Sequence, residues 1–141
     1  KLRLVIFRDR IDGREHAALV KGQVDAQTPV PARVHAVNLL HDLIGIQEAS
    51  ARHASLHQAM KQLAQNDHGI LVLLNDPDRA QISSGLEELG HNYMLREYGI
   101  GARILFDLGA RQISLMSNSP KPSLVALDGY GLKIVGTCPL G

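Results

Sequence analysis

The chain has 141 residues, 45% of them apolar and 21% charged, the make-up of one ordinary globular domain and not of a disordered segment. With 15 basic and 14 acidic residues the net charge is +1, so there is no bulk positive field to hold nucleic acid or an anionic membrane, and no apolar run approaches the roughly 20 residues of a bilayer span. The single cysteine, Cys138, excludes an intrachain disulfide and a multi-cysteine metal site and fits a reducing, cytoplasmic setting.

Leu2 to Phe7 is an apolar, β-branched run, Asp12-Gly13 turns the chain, and Glu15 to Lys21 is a second strand, so the pair predicts a hairpin. The chain opens on Lys1, one residue ahead of that strand, which reads as a piece cut from a longer chain with an edge strand open to association. Residues 23–31, with Asp25, Gln27, Thr28, Pro29 and Pro31, read as a loop, and Ala32 to Val37 as a third strand. Leu56, Ala59, Met60 and Leu63 share one face of a 3.6-residue period and predict an amphipathic helix over His53 to Gln65. Gly69 to Leu74 is apolar on both faces, which predicts a central strand covered on both sides.

Asn75 to Asp78 breaks the chain, and Asp78 suits the N-cap of a helix that carries Ile82, Leu86 and Leu89 and ends at Gly90. Tyr98 to Leu108 predicts a further helix, with Gly101, Ile104, Leu105 and Leu108 on one face and Gly109 at its end. Gln112 to Met116 is a strand, Ser119-Pro120 opens a short helix, Asp128-Gly129 is a turn, and Leu132 to Thr137 is the last strand. Strands first and helix–strand alternation afterwards predict a single α/β domain over residues 1–141, a mixed sheet with helices packed on it.

Several residues could carry chemistry, each with a plainer reading beside it. His53 and His57 stand four apart on one helix, a metal-ligand spacing with His41 and Asp42 upstream, or simply a polar helix face. Gly99 and Gly101 suit a phosphate turn or, better, close helix packing, since no predicted strand precedes them. Ser117 to Lys121 is a polar strand-to-helix turn that could meet an anion or act as an ordinary cap. Asp76 to Arg79 is a polar ligand loop or a helix entry, and Arg33 and His35 alternate on one strand face, toward a phosphate or toward solvent. Cys138 has no basic neighbour in sequence to activate it.

Taken together, Gly13 to Gly22, Arg33-Val34-His35, Arg96 to Leu105, Asp107-Leu108-Gly109, Ser117 to Lys121 and Gly129 to Leu132 resemble GTP cyclohydrolase II, in the family's order and over nearly the whole chain. The resemblance implies the family's α/β fold, a homodimer, and a role in riboflavin synthesis, where the family opens the guanine ring of GTP with release of formate and pyrophosphate. It also implies a zinc ion held by three cysteines and, in many bacteria, fusion behind 3,4-dihydroxy-2-butanone 4-phosphate synthase, so an upstream synthase domain is expected in the same chain.

The departures bear on the chemistry. Asn38 stands where the family has its first zinc cysteine, and its Cys-Asp-Cys pair falls near Ala49, Ser50 and Ala51. Without thiolates a zinc ion of this type has no ligand set, so no cofactor and no metal site are expected. A GTP-contacting glutamate is Val37, a later glutamine falls at Ala54 or Ser55, and the Glu-Gly-Arg-Gly-Ile-Gly loop shrinks to Pro77-Asp78-Arg79-Ala80 with a shortened stretch behind it. The Asp-x-Arg pair reads Met94-Leu95-Arg96, and methionine accepts no proton. In the last loop a threonine becomes Ser117 and a lysine becomes Pro122.

The expectation is a degenerate domain with no functional catalytic residue, Arg96 being a relic position and Arg33, His35, Arg79 and Ser117 relic ligand contacts. Its role would be to stabilise, oligomerise or regulate. The other readings are a module that still binds phosphate or a nucleotide, and an active cyclohydrolase with another metal on His41, His53 and His57.

Overall fold

The computed structural model describes residues 1–37, 56–75, 91–117 and 129–139, with 91–98 as helical backbone. They form six strands and two helices. These are β1 (Leu2–Arg8), β2 (Glu15–Lys21), β3 (Val30–Ala36), α1 (Leu56–Gln65), β4 (Gly69–Leu74), α2 (His91–Asp107), β5 (Gln112–Met116) and β6 (Lys133–Cys138). The sheet order is β1-β2-β4-β3-β5-β6. β1 and β2 form the expected antiparallel hairpin and β2 pairs antiparallel with β4, whereas β4, β3, β5 and β6 run parallel. The α/β class and the mixed sheet are as the sequence predicts.

Alternation places α1 and α2 on opposite faces. Ile70, Val72 and Leu74 of β4 pack with Ala18, Val20, Val30, Ala32, Ile113 and Leu115 beneath Ala102, Ile104 and Leu105 of α2. The odd-numbered Leu71 packs instead with Ala59 and Leu63 of α1 and with Met116. β4 is therefore covered on both sides, which explains its unbroken apolar run.

Three expectations are corrected. β3 begins at Val30, inside the segment read as a loop, because Val30 and Pro31 already pair with Ile113 and Ser114 of β5, while the β4 ladder starts at Ala32. α2 begins at His91 and not at Tyr98, so Gly99 and Gly101 are interior helical residues. Met60 is 39% exposed, leaving Ala59 and Leu63 as the buried side chains of α1. The predicted helix with Ile82, Leu86 and Leu89, the helix start at Ser119-Pro120 and the first turn from His53 lie outside the described residues. α2 ends as predicted at Gly109, whose φ of +98° favours glycine and whose N–H bonds the Phe106 carbonyl at 3.0 Å.

Gly101 is a packing residue. A Cβ there would lie 2.6 and 2.7 Å from the two γ-carbons of Val34 on β3, so α2 crosses the sheet where the helix has no side chain. Ordinarily Gly→Ala inside a helix gains about 1 kcal/mol. Here the added methyl meets a stiff β-branched side chain on an inner strand, an overpacking cost of about 1–3 kcal/mol at its upper end. Gly101→Ala is expected to lose about 2 kcal/mol net in urea unfolding, with part regained in the Gly101→Ala/Val34→Ala double variant. Gly99→Ala is the control: its Cβ would meet the Tyr130 hydroxyl at 2.7 Å, the far end of a half-exposed side chain that can swing away.

Candidate functional site

Parallel strands gather their C-terminal ends at one rim of the sheet, and ligand sites of open α/β sheets form there where neighbouring strands send their connections in opposite directions. β3 leads through α1 to β4 on one side, and β5 leads to β6 on the other. The switch point therefore lies between β3 and β5. Three of the expected positions meet at it: Arg33 and His35 near the end of β3, and Ser117 directly after β5.

Arg33 ties the two strands. Its Nη1 donates to the Met116 carbonyl at 3.1 Å, a contact between residues 83 apart in sequence. His35 is 8% exposed, so the solvated reading of this position is corrected. It shares the α1 face with Arg33, and the two stand in register with Leu73 and Leu71 of β4. Ser117 is fixed through its backbone, its N–H donating to the Cys138 carbonyl at 2.9 Å. Arg79 lies outside the described residues, as do Asn38, His41, Asp42 and His53. Arg96 is in α2, described as backbone only. His57 is exposed on α1.

Two further residues sit at the same rim, and sequence reasoning gave neither a role there. Cys138 ends β6 opposite Met116, half-buried, with its Sγ 3.1 Å from the Ser114 hydroxyl. His16 is 5% exposed, and its Nδ1 accepts the Asn75 N–H at 3.0 Å just beyond β4. That bond requires Nδ1 to be unprotonated. A histidine inside a strand whose other positions alternate apolar was the available signal for a buried, committed imidazole.

Clear titration shifts occur away from this rim. The Asp25 carboxyl is held below the ordinary aspartate range by the N–H groups of Gln27 and Thr28 and then by the Thr28 hydroxyl. The Arg8 guanidinium is raised by its hydrogen bond to Glu15 and by that carboxylate's charge. An open groove of about 500 Å³ runs between α1 and Pro139, lined by Gln58, Lys61, Gln62, Gln65 and Asn66, and none of the expected site residues lines it.

Residues 1–139 match the family model described as GTP cyclohydrolase II. Among curated proteins the chain is similar to the riboflavin biosynthesis protein RibBA of Parabacteroides distasonis, 34% identical over 155 residues that cover 98% of this chain and 38% of that protein. It is also similar to RibBA of Bacillus subtilis, 34% identical over 95% of this chain and 38% of that one. A third relative is the monofunctional riboflavin biosynthesis protein RIBA 2, chloroplastic, of Arabidopsis thaliana, 36% identical over 95% of this chain and 30% of that one. The chain spans about a third of the length of these relatives. The first alignment is longer than the 141 residues of the chain, so it opens gaps in this chain.

Proposed function

The chain belongs to the GTP cyclohydrolase II family, and from that premise we propose that it is a zinc-free member that no longer turns over GTP and serves a riboflavin-biosynthesis protein as a structural, oligomerising or regulatory domain. The observation that carries this reading is the donor set. The family's zinc takes three thiolates, and the sequence holds one cysteine, placed at the end of β6 against the Ser114 hydroxyl. Asn38 and the stretch from Ala49 to Ala51 supply no thiolate at the family's positions. The residues present do not fit a three-thiolate zinc ion.

The surviving Arg33 has a structural use that needs no nucleotide: it bridges β3 to β5 through the Met116 carbonyl. That accounts for its retention beside lost ligand positions. An upstream 3,4-dihydroxy-2-butanone 4-phosphate synthase domain, a cytoplasmic setting and a homodimer complete the proposed context. A residual phosphate- or nucleotide-binding role is the second reading, favoured by the placement of Arg33 and Ser117 at the switch point.

Calorimetry tests both. Titration of the full chain with Zn²⁺ is expected to show no stoichiometric site, and elemental analysis of purified protein no bound zinc. One zinc per chain held through dialysis against a weak chelator would sink the first reading. Saturable heat with GTP but none with zinc would select the second.

A further inference from the structure

β2 divides its backbone between two antiparallel partners. The hydrogen bond from the Asp9 N–H to the Arg14 carbonyl fixes the phase. His16, Ala18 and Val20 therefore exchange backbone bonds with β1, and Ala17, Leu19 and Lys21 with β4. One more step of the β4 ladder would bring the Asn75 N–H to the Glu15 carbonyl. The pairing stops instead at Ala17 and Leu73, and the Asn75 N–H donates to Nδ1 of the His16 ring at 3.0 Å. A side chain thus replaces the backbone acceptor at the point where β4 leaves β2. At the same level the Val37 N–H donates to the Leu74 carbonyl at 3.0 Å, so the exits of β3 and β4 are tied together.

A backbone amide only donates, so the ring nitrogen it meets carries no proton. Histidine is the side chain whose charge changes between about pH 5 and 8. A proton taken up at Nδ1 occupies the lone pair that holds Asn75. The resulting cation would also stand among apolar groups, because alternation puts His16 on the α2 face with Ala18 and Val20, opposite Phe7 of β1 and 5% exposed. Among the described residues, the charged side chains around it have partners of their own. Arg14, next on the same face, pairs with Asp12 at 3.4 Å. Asp9 accepts the Ile11 N–H, and Arg8 pairs with Glu15 on the opposite face of the sheet. On α2, Arg103 pairs with Asp107 at 3.3 Å, and His35 of β3 lies on the α1 face.

We propose that His16 is a proton-operated latch on the end of β4. Neutral, it holds the Asn75 N–H and seats the exit of β4 beside that of β3. Protonated on Nδ1 by solvent, it drops that bond and frees residue 75 from β2. The latch is closed at neutral pH and opens as pH falls, since proton and amide compete for one lone pair. The inference goes beyond the proposed function and does not rest on it. Zinc binding or GTP turnover would overturn the reading of a lost cyclohydrolase and leave the end of this ladder as it is.

Amide exchange of the full chain, followed residue by residue by NMR, tests the latch. In the unaltered chain, protection of the Asn75 amide is expected to fall at least about tenfold from about pH 7.5 to about pH 5, while that of the buried Val72 changes less than about threefold. The chain has seven histidines, so two variants assign the effect. His16→Asn hangs a carboxamide oxygen on the carbon that bears Nδ1 in histidine, an acceptor that takes no proton in this range. It is expected to hold Asn75 protection within about threefold across the same pH interval. His16→Phe keeps a ring and deletes the acceptor, and is expected to leave Asn75 weakly protected at both ends of the interval. Asn75 protection that is indifferent to pH in the unaltered chain, that falls in step with Val72, or that falls as far in His16→Asn overturns the proposal. If one variant does not fold, the other decides against the unaltered chain.

Discussion

Supplied with GTP and excess Zn²⁺, the chain is expected to release formate at least about 10⁴-fold more slowly than a three-cysteine member of the family assayed beside it. The size of the effect follows from what the reaction asks of its water. A zinc-bound water ionises near neutral pH, whereas free water does so only at far higher pH, and the metal also polarises the group under attack. Three thiolates hold that ion in the family, and the sequence offers one cysteine. Proton transfer by a placed side chain adds about 10²–10⁴-fold, and methionine 94 in the family's aspartate position accepts no proton. Losses of groups that act together do not multiply, so the expectation is a floor and not a product of factors. Parallel assays with manganese, cobalt and ferrous iron cover a site built on His41, His53 and His57. Turnover within tenfold of the three-cysteine protein, with any of these ions, would end the reading of a catalytically lost domain.

How far the sequence could be read depended on how local the cause was. β2, β4 and β5 have the predicted bounds because their apolar runs stop at turn residues or charges. α2 was read too short because Gly99 resembles a helix boundary. Only the tertiary contact with Val34 shows why glycine is wanted at 101 inside the helix. Pro31 hid the start of β3 for a similar reason: its pairing with Ser114 of β5 is a tertiary contact that no local pattern encodes.

The site divides along the same line. That Arg33 and His35 share a face follows from strand alternation. That Ser117 and Cys138 join them follows from parallel pairing of β3, β5 and β6, which no local pattern encodes. The missing thiolates, by contrast, were visible only in the sequence set against a family pattern, because the positions from Asn38 to Ala51 lie outside the described residues.

Leu63→Ala is expected to cost about 3–5 kcal/mol, the upper part of the range for a buried leucine. α1 has ten residues, too few to hold a helix alone in water, so its persistence rests on what it buries. The fully buried side chains on that face are Ala59 and Leu63, packed on Leu71 and Met116, with Leu56, Leu19 and Leu73 partly covered around them. The space vacated by Leu63 has little to fill it. Directly beneath lies Gly69, where an added Cβ would stand 2.7 Å from the Leu63 Cδ1, so the helix is seated on bare backbone. Ties at its C-terminal end are exposed or peripheral: Lys21 Nζ donates to the Ala64 carbonyl at 2.6 Å and the Asn66 side chain to the Gln62 carbonyl at 2.9 Å. Such end contacts contribute about 1 kcal/mol each at most. In urea the midpoint should fall by about 1–3 M with the slope unchanged, and amide exchange across Leu56–Gln65 should quicken before that of β4. Leu63→Met, which keeps the volume, should cost under about 1.5 kcal/mol. A loss below about 1 kcal/mol for Leu63→Ala would mean that α1 does not depend on this contact.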